Sequence, residues 1–349
     1  MRSTHRTRRL LFALVTVVAL LATACGQSPG DSGERKQRTI AYVAVVGNGG
    51  IETRFADAFR RAVESLGWKA LYTDPGGNLQ KAQQAIDGYL NQNVDAIMTL
   101  VYDPSVLQAQ FRSAKTKNIP ILLCCDDVEP AGGSQLDYTA RYVPSEYKIG
   151  ALMGQAFAED FKGRRAKFGY IDSNQTFVGR QRQKGFIDEA KKAGMQLVGS
   201  VPVDIANAFQ SSDQAAVALL RSHPDIDAAY APFDFSGVSL AKAKRKLNMP
   251  DVKVYSAFAD AANYPEMKTG DLNTVTEVDL VATMMLALDQ LIRHFENGTK
   301  FDPRALDDMD LHYEVIKAGV NVPPDDQGPY TKATVDSWIA KWEQEFDLK

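Results

Sequence analysis

Thr39-Ile40-Ala41-Tyr42-Val43-Ala44-Val45-Val46, broken by Gly47-Asn48-Gly49-Gly50, is the stretch that decides the fold. A continuous apolar run with β-branched residues, closed by a breaker cluster, reads as a strand buried on both faces of a parallel sheet. Behind the break, Phe55, Phe59, Ala62, Val63 and Leu66 recur at helical spacing, and Gly67 closes that helix.

The unit repeats outward. Strands are expected at Trp68–Tyr72, Asp95–Val101, Ile119–Cys125, Ala166–Ile171, Gln196–Val201, Asp227–Ala231, Val252–Ala257 and Asn273–Glu277. Between them, helices are expected at Gln80–Asn91, Ser105–Lys117, Ser145–Phe161, Gly179–Ala193, Phe209–Ser222, Ser236–Leu247 and Asp279–Asn297. Strands alternating with helices of this length predict an α/β protein with parallel sheets and helices on both faces. The series is too long for one doubly wound sheet and splits near Tyr142 into two similar halves. Thr331–Phe346 reads as an added amphipathic helix, with Val335, Trp338, Ile339 and Trp342 along one side.

Ahead of the first strand stands a different kind of sequence. Arg2 to Arg9 is basic, Leu10 to Ala22 is apolar, and Thr23-Ala24 lead into Cys25-Gly26. The order is that of an export signal over residues 1–24, and its end resembles a lipobox, whose cysteine carries the lipid. Residues 25–38 then form a lipidated, flexible tether rich in Gly, Ser and charge. Cleavage without lipid and an uncleaved anchor are the alternatives, although an apolar core of 13 residues is short of the roughly 20 needed to span a bilayer.

From Cys25 onward the chain is long enough for two ordinary domains. Without the four signal arginines, 36 basic residues face 43 acidic ones, so the mature chain carries about −7. A negative chain with no basic block is a poor nucleic-acid binder. Cys124 and Cys125 are the only cysteines besides Cys25, so no disulfide framework holds the fold. The bland reading of the pair is two buried thiols, since successive strand residues point to opposite faces; a vicinal disulfide is the alternative. His223, His294 and His312 are widely separated, and no His/Cys cluster has metal-ligand spacing.

Several stretches in order carry a resemblance. They are Thr39-Ile40-Ala41-Tyr42-Val43, Gly67-Trp68, Val94-Asp95-Ala96-Ile97, Asn118-Ile119-Pro120-Ile121, Gly179-Arg180-Gln181-Arg182-Gln183-Lys184-Gly185-Phe186 and His223-Pro224-Asp225-Ile226-Asp227-Ala228-Ala229-Tyr230. Over residues 39–319 the chain resembles the type I periplasmic binding proteins of the ribose-binding kind, the solute receptors of ABC sugar importers. The resemblance implies two doubly wound lobes joined by three crossings, near Tyr142, Glu277 and Lys300, with ligand in the cleft between them. The first lobe would be 39–142 plus 278–299, the second 143–277 plus 300–319, and 320–349 a C-terminal extension. Ligands also sit beyond the carboxyl ends of parallel strands on general grounds, and closure would be a hinge motion. Repressors that share this fold carry a DNA-binding motif where this chain has its export signal.

Sugar hydroxyls both donate and accept, so carboxylates, Asn and Arg after strand ends are the candidates, with an aromatic ring for the apolar sugar face. Asn48 and Glu52 follow the first strand, where sugar-binding relatives carry aromatics; Glu52 is otherwise an acidic first-turn residue. Asp103 follows another strand end. Asp126 and Asp127 stand where the family has Asp-Arg, or form a solvated acidic turn. Arg180 matches the family's ligand-binding arginine by its distance to Gly185-Phe186, with Arg182 the second choice and a solvated helix face the alternative. Phe177 can supply a ring face. In Pro232-Phe233-Asp234-Phe235, Phe233 falls where the family has Asn, and Asp234 either binds ligand or caps the next helix. Asp260 follows the next strand, and Glu277 stands at a crossing.

The expected function is therefore an extracytoplasmic binding protein, lipid-anchored to the outer face of the cell membrane. It would be a monomer that captures a monosaccharide or polyol, without cofactor or metal, and delivers it to an ABC permease. The acid-heavy cleft also suits an amino-bearing or cationic ligand, and the same fold serves receptors for membrane kinases. A glycan hydrolase would need two carboxyls roughly 5–9.5 Å apart, but no nucleophile motif supports that class, and no enzyme is expected.

Overall fold

Alternate residues of the first strand, β1 (Thr39–Val43), feed two different cores. Ile40 and Tyr42 pack with Phe55 and Phe59 of α1 (Gly50–Ser65) and with Met284 and Leu288 of α9 (Leu280–Asn297). Ala41 and Val43 pack with Ile86 of α2 (Leu79–Asn91) and Phe111 of α3 (Gln108–Lys117). Helices on both faces explain why this strand shows no polar alternation. The computed structural model describes residues 36–45, 50–100, 104–124, 136–259, 262–324 and 331–347.

The first sheet adds β2 (Lys69–Thr73), β3 (Ala96–Thr99), β4 (Ile121–Leu123) and β5 (Ala140–Arg141) in the order β2-β1-β3-β4-β5, all parallel. The second contains β6 (Lys167–Asp172), β7 (Gln196–Pro202), β8 (Ala228–Ala231), β9 (Lys253–Ala257), β10 (Thr274–Val278) and β11 (Tyr313–Lys317), ordered β11-β10-β9-β8-β6-β7. Its two faces are also told apart by alternation. Tyr230 and Tyr255 meet Phe157 of α4 (Glu146–Asp160) and Phe186 of α5 (Phe177–Lys192). Ala229, Ala231 and Val254 meet Leu219 of α6 (Ala208–Ser222) and Leu240 of α7 (Asp234–Lys246).

Helix ends follow local chemistry. Asn78, Ser145, Thr176 and Asp279 accept backbone N–H groups at the starts of α2, α4, α5 and α9. Helix α4 lies unusually close to α5: a Cβ on Gly150 would fall 1.8 Å from the Arg182 carbonyl oxygen, and one on Gly185 would fall 2.1 Å from that of Tyr147. Only glycine permits that approach.

The structure departs from the sequence expectation in several places. The single helix expected over Ser105–Lys117 is a 3-10 turn at Pro104–Leu107 followed by α3, because Leu107 leaves helical geometry at φ −106°, ψ 12°. Strand β5 and helix α8 (Asn263–Thr269) are too short to give a periodic signal. Strand β11 was also unanticipated, and it pairs antiparallel to β10, with Val275 opposite Ile316, in sheets expected to be parallel. Only Ile316 of its five residues is buried, so the apolar pattern that marks a strand is missing.

Helix α10 (Thr331–Phe346) forms as expected, and it completes the first lobe. It packs on α1 and α9, with Trp342 fully buried and its Nε1 donating to Asp289 Oδ1 at 3.1 Å.

Candidate ligand-binding cleft

Helix α1 follows β1, and its N-terminal end carries Glu52 and Arg54. Glu52 is 8% exposed and accepts from the buried Tyr42 hydroxyl at 3.3 Å. Burial pushes its carboxyl up to about 8; the Tyr42 hydroxyl and the Val45 backbone oppose the rise, and Asp234 and Asp74 add to it. Arg54 crosses between lobes. Its Nη2 donates to the Ala259 carbonyl at 2.6 Å, and its Nη1 lies 3.8 Å from Glu277 Oε1.

Glu277, on β10, accepts the Ala259 N–H at 3.1 Å. Its carboxyl is pushed up to about 7, chiefly by burial, against the pull of Arg54 and the Ala259 amide. Asp234 is buried too, and its charge adds to the rise at both Glu52 and Glu277, well behind the effect of burial. Asp234 is the first residue of α7, and the cap position belongs to Phe233, at φ −131°, ψ 148°. The acid therefore does not cap the helix.

Arg182, in the second lobe, is a buried cation at 3% exposure. The α4–α5 contact through Gly150 sets its backbone, and its Nε donates to Glu146 Oε2 at 2.6 Å. Its Nη1 donates to the Pro232 carbonyl at 3.0 Å. The guanidinium carbon lies 4.4 Å from the Phe258 ring centroid and 5.2 Å from that of Phe233. Phe258 holds φ +63°, a conformation rare for a bulky residue, directly after β9.

Arg180, the first choice from the family resemblance, is partly exposed; its Nη1 donates to the Asn174 carbonyl at 2.7 Å and its guanidinium lies 5.5 Å from the Phe177 ring. Phe177 opens α5 behind the Thr176 cap. The structure thus brings together Glu52, Phe233, Asp234 and Glu277 with Arg182, the second-choice arginine, and adds Arg54, Glu146 and Phe258. Arg54 carries a sequence signal only through its place in the turn that holds Glu52; Glu146 and Phe258 carry none. Asn48, Asp103, Asp126, Asp127 and Asp260 lie outside the described residues, as do Cys25 and Cys125. Cys124 is buried in the first lobe's core beside Leu122.

The lobes meet at a second place. Gly77 follows β2 at φ +76°, and a Cβ there would lie 2.6 Å from the Ile205 carbonyl oxygen of the second lobe. Among the described residues, no three His, Cys, Asp or Glu side chains are grouped to hold a metal ion.

Residues 40–295 match the sequence family described as the periplasmic binding protein domain. The chain is 24% identical over 236 residues to the ribose import binding protein RbsB of Bacillus subtilis (strain 168), spanning 65% of this chain and 74% of that protein. It is 32% identical over 113 residues to the fructose import binding protein FruE of Bifidobacterium longum (strain NCC 2705), spanning 31% of this chain and 35% of that one. A solved galactofuranose binding protein has the same fold, with a TM-score of 0.72 at 16% identity over 88% of this chain and 99% of that chain.

Proposed function

The chain belongs to the periplasmic binding protein domain family, and on that premise we propose that it captures a monosaccharide or polyol between its lobes and delivers it to an ABC permease. The observation that carries this reading is the convergence of buried and half-buried polar groups from both lobes. Glu52 and Arg54 come from the first lobe, Arg182, Asp234 and Glu277 from the second, and the rings of Phe233 and Phe258 lie beside them. Carboxylates and guanidinium groups satisfy several hydroxyls at once, and the rings suit the C–H face of a sugar. The relatives named above are binding proteins for ribose, fructose and galactofuranose, and the function is binding rather than catalysis.

The ligand contacts are Glu52, Phe233, Asp234 and Glu277, with Phe177 and Arg180 at the edge. Asn48, Asp103, Asp126, Asp127 and Asp260 join them from the loops that follow the strand ends. Lobe boundaries at 39–142 plus 278–299 and 143–277 plus 300–319 are supported by β10 lying in the second sheet while α9 packs on α1. The receptor is a monomer held outside the cell membrane by lipid on Cys25, behind a signal of residues 1–24.

A second reading has a specific observation in its favour. Glu52, Asp234 and Glu277 are three buried acids among the proposed ligand contacts, and an ammonium group on the ligand would offset their charge. Thermal-shift measurements on the full chain against ribose, fructose, galactose, myo-inositol, glucosamine and putrescine separate the two. A ligand that binds only the folded state raises Tm by mass action. A shift with neutral sugars or myo-inositol supports the first reading, and a shift confined to glucosamine or putrescine replaces it with the second. If every compound leaves Tm unmoved, the importer reading gives way to a sensor of another solute, read by a membrane kinase.

A further inference from the structure

The aromatic surface beside the cleft is longer than one sugar ring requires. From the guanidinium of Arg182 it runs 5.2 Å to the ring of Phe233, then 5.3 Å to Phe235 with the two rings only 9° from parallel. From Phe235 it runs a further 5.5 Å to Phe209. Burial falls along this line. Phe258, on the inner side of Arg182, is 2% exposed; Phe233 and Phe235 are half-buried; Phe209 is 44% exposed. Among the described residues, Phe209 is the one exposed Phe, Tyr or Trp side chain.

Position explains what this line can do. Its inner end lies beside Pro232 and Asp234, within the group of cleft residues. Its outer end opens α6, four residues after Ile205, whose carbonyl faces Gly77 of the first lobe. The rings therefore run along the second lobe from the buried cleft to the seam where the lobes meet. An exposed phenylalanine is ordinary when isolated, but one that extends a stack out of a ligand site is continuous with that site. Stacking an apolar ligand face on such rings removes area from water without demanding hydrogen-bond partners.

We propose that Phe235 and Phe209 form a second subsite for a sugar ring glycosidically joined to the one held at Phe233 and Arg182, so that the preferred ligand is a disaccharide. The inference rests on the sugar reading above and narrows it. Isothermal titration of the full chain with ribose, galactose, glucose and fructose, and with lactose, maltose, sucrose and xylobiose, tests it alongside the Phe209→Ala variant. At least one disaccharide is expected to bind more tightly than its component sugars, and Phe209→Ala is expected to lower that affinity ratio about tenfold. Equal Tm for the two proteins without ligand shows that the fold is kept. Tight monosaccharide binding with no disaccharide preference, or a ratio unmoved by Phe209→Ala, overturns the second subsite while leaving the sugar reading intact. Binding by neither class overturns both.

Discussion

Arg182 Nε and Glu146 Oε2 lie 2.6 Å apart, with side-chain exposures of 4% and 0%. The pair sits where α4 and α5 touch through Gly150 and Gly185, so one close contact fixes both partners. Its attraction is opposed by the cost of removing two charges from water, and the pair need not add net stability.

Removing one partner is a different matter, because the other charge is then left buried. Arg182→Met is expected to cost about 3–5 kcal/mol, and Glu146→Leu a comparable amount. The double variant Arg182→Met with Glu146→Leu should recover much of the loss. Urea unfolding of the three variants measures this. Additive losses in the double variant would show that the two side chains are not coupled.

Glu52 gives the protein a pH dependence of calculable sign. Its carboxyl is raised from 4.5 to about 8 in the folded state, so the fold holds its proton more tightly than the unfolded chain does. The stability this contributes is complete below the unfolded value and is lost as pH rises through 8. Glu52→Gln replaces the protonated acid with a neutral amide and removes that slope. At pH 9 the variant is expected to be more stable than the parent by roughly 2–4 kcal/mol, with little difference at pH 5. Glu277, held at about 7, adds its own loss in both proteins. Parallel stability curves from pH 5 to 9 would count against a buried, protonated Glu52.

Much of this architecture was legible in the sequence, for a physical reason. Strands buried on both faces, such as Thr39–Val43, and long helices with one apolar face, such as Leu280–Asn297, state their environment in their residues. Short or half-exposed elements do not, which is why Ala140–Arg141 and Tyr313–Lys317 went unread. The site divides the same way. Glu52, Asp234 and Glu277 are marked by their place after strand ends or at a crossing. The choice between Arg180 and Arg182 depends on helix rotation, and the rotation is set by glycine contacts with the preceding helix α4 that no local pattern encodes. Phe258 owes its position to a positive φ that no residue pattern announces.

The C-terminal helix should behave as part of the first lobe's core. Trp342 is fully buried, and its indole N–H donates to Asp289, which also binds Arg293 at 2.8 Å. Trp342→Ala is expected to cost about 3–5 kcal/mol from lost burial and the cavity left behind. Thermal unfolding measures it. A change below about 1 kcal/mol would mean that α10 docks only loosely on α1 and α9.

Gly77 provides the sharpest test of closure, because two independent constraints meet there. Its φ of +76° disfavours any residue with a Cβ, and that Cβ would lie 2.6 Å from the Ile205 carbonyl oxygen across the seam. The first constraint acts within the first lobe and costs Gly77→Ala about 1–2 kcal/mol of stability. The second acts only when the lobes meet, since the obstructing atom is backbone of the other lobe and has no rotamer to retreat to. Ligand affinity should therefore fall at least about tenfold, beyond what the stability loss explains. Small-angle scattering at saturating ligand should show the variant more expanded than the parent, while the two match without ligand. A variant that closes to the parent's dimensions and binds as tightly would mean that Ile205 yields, and that contact at Gly77 does not govern closure.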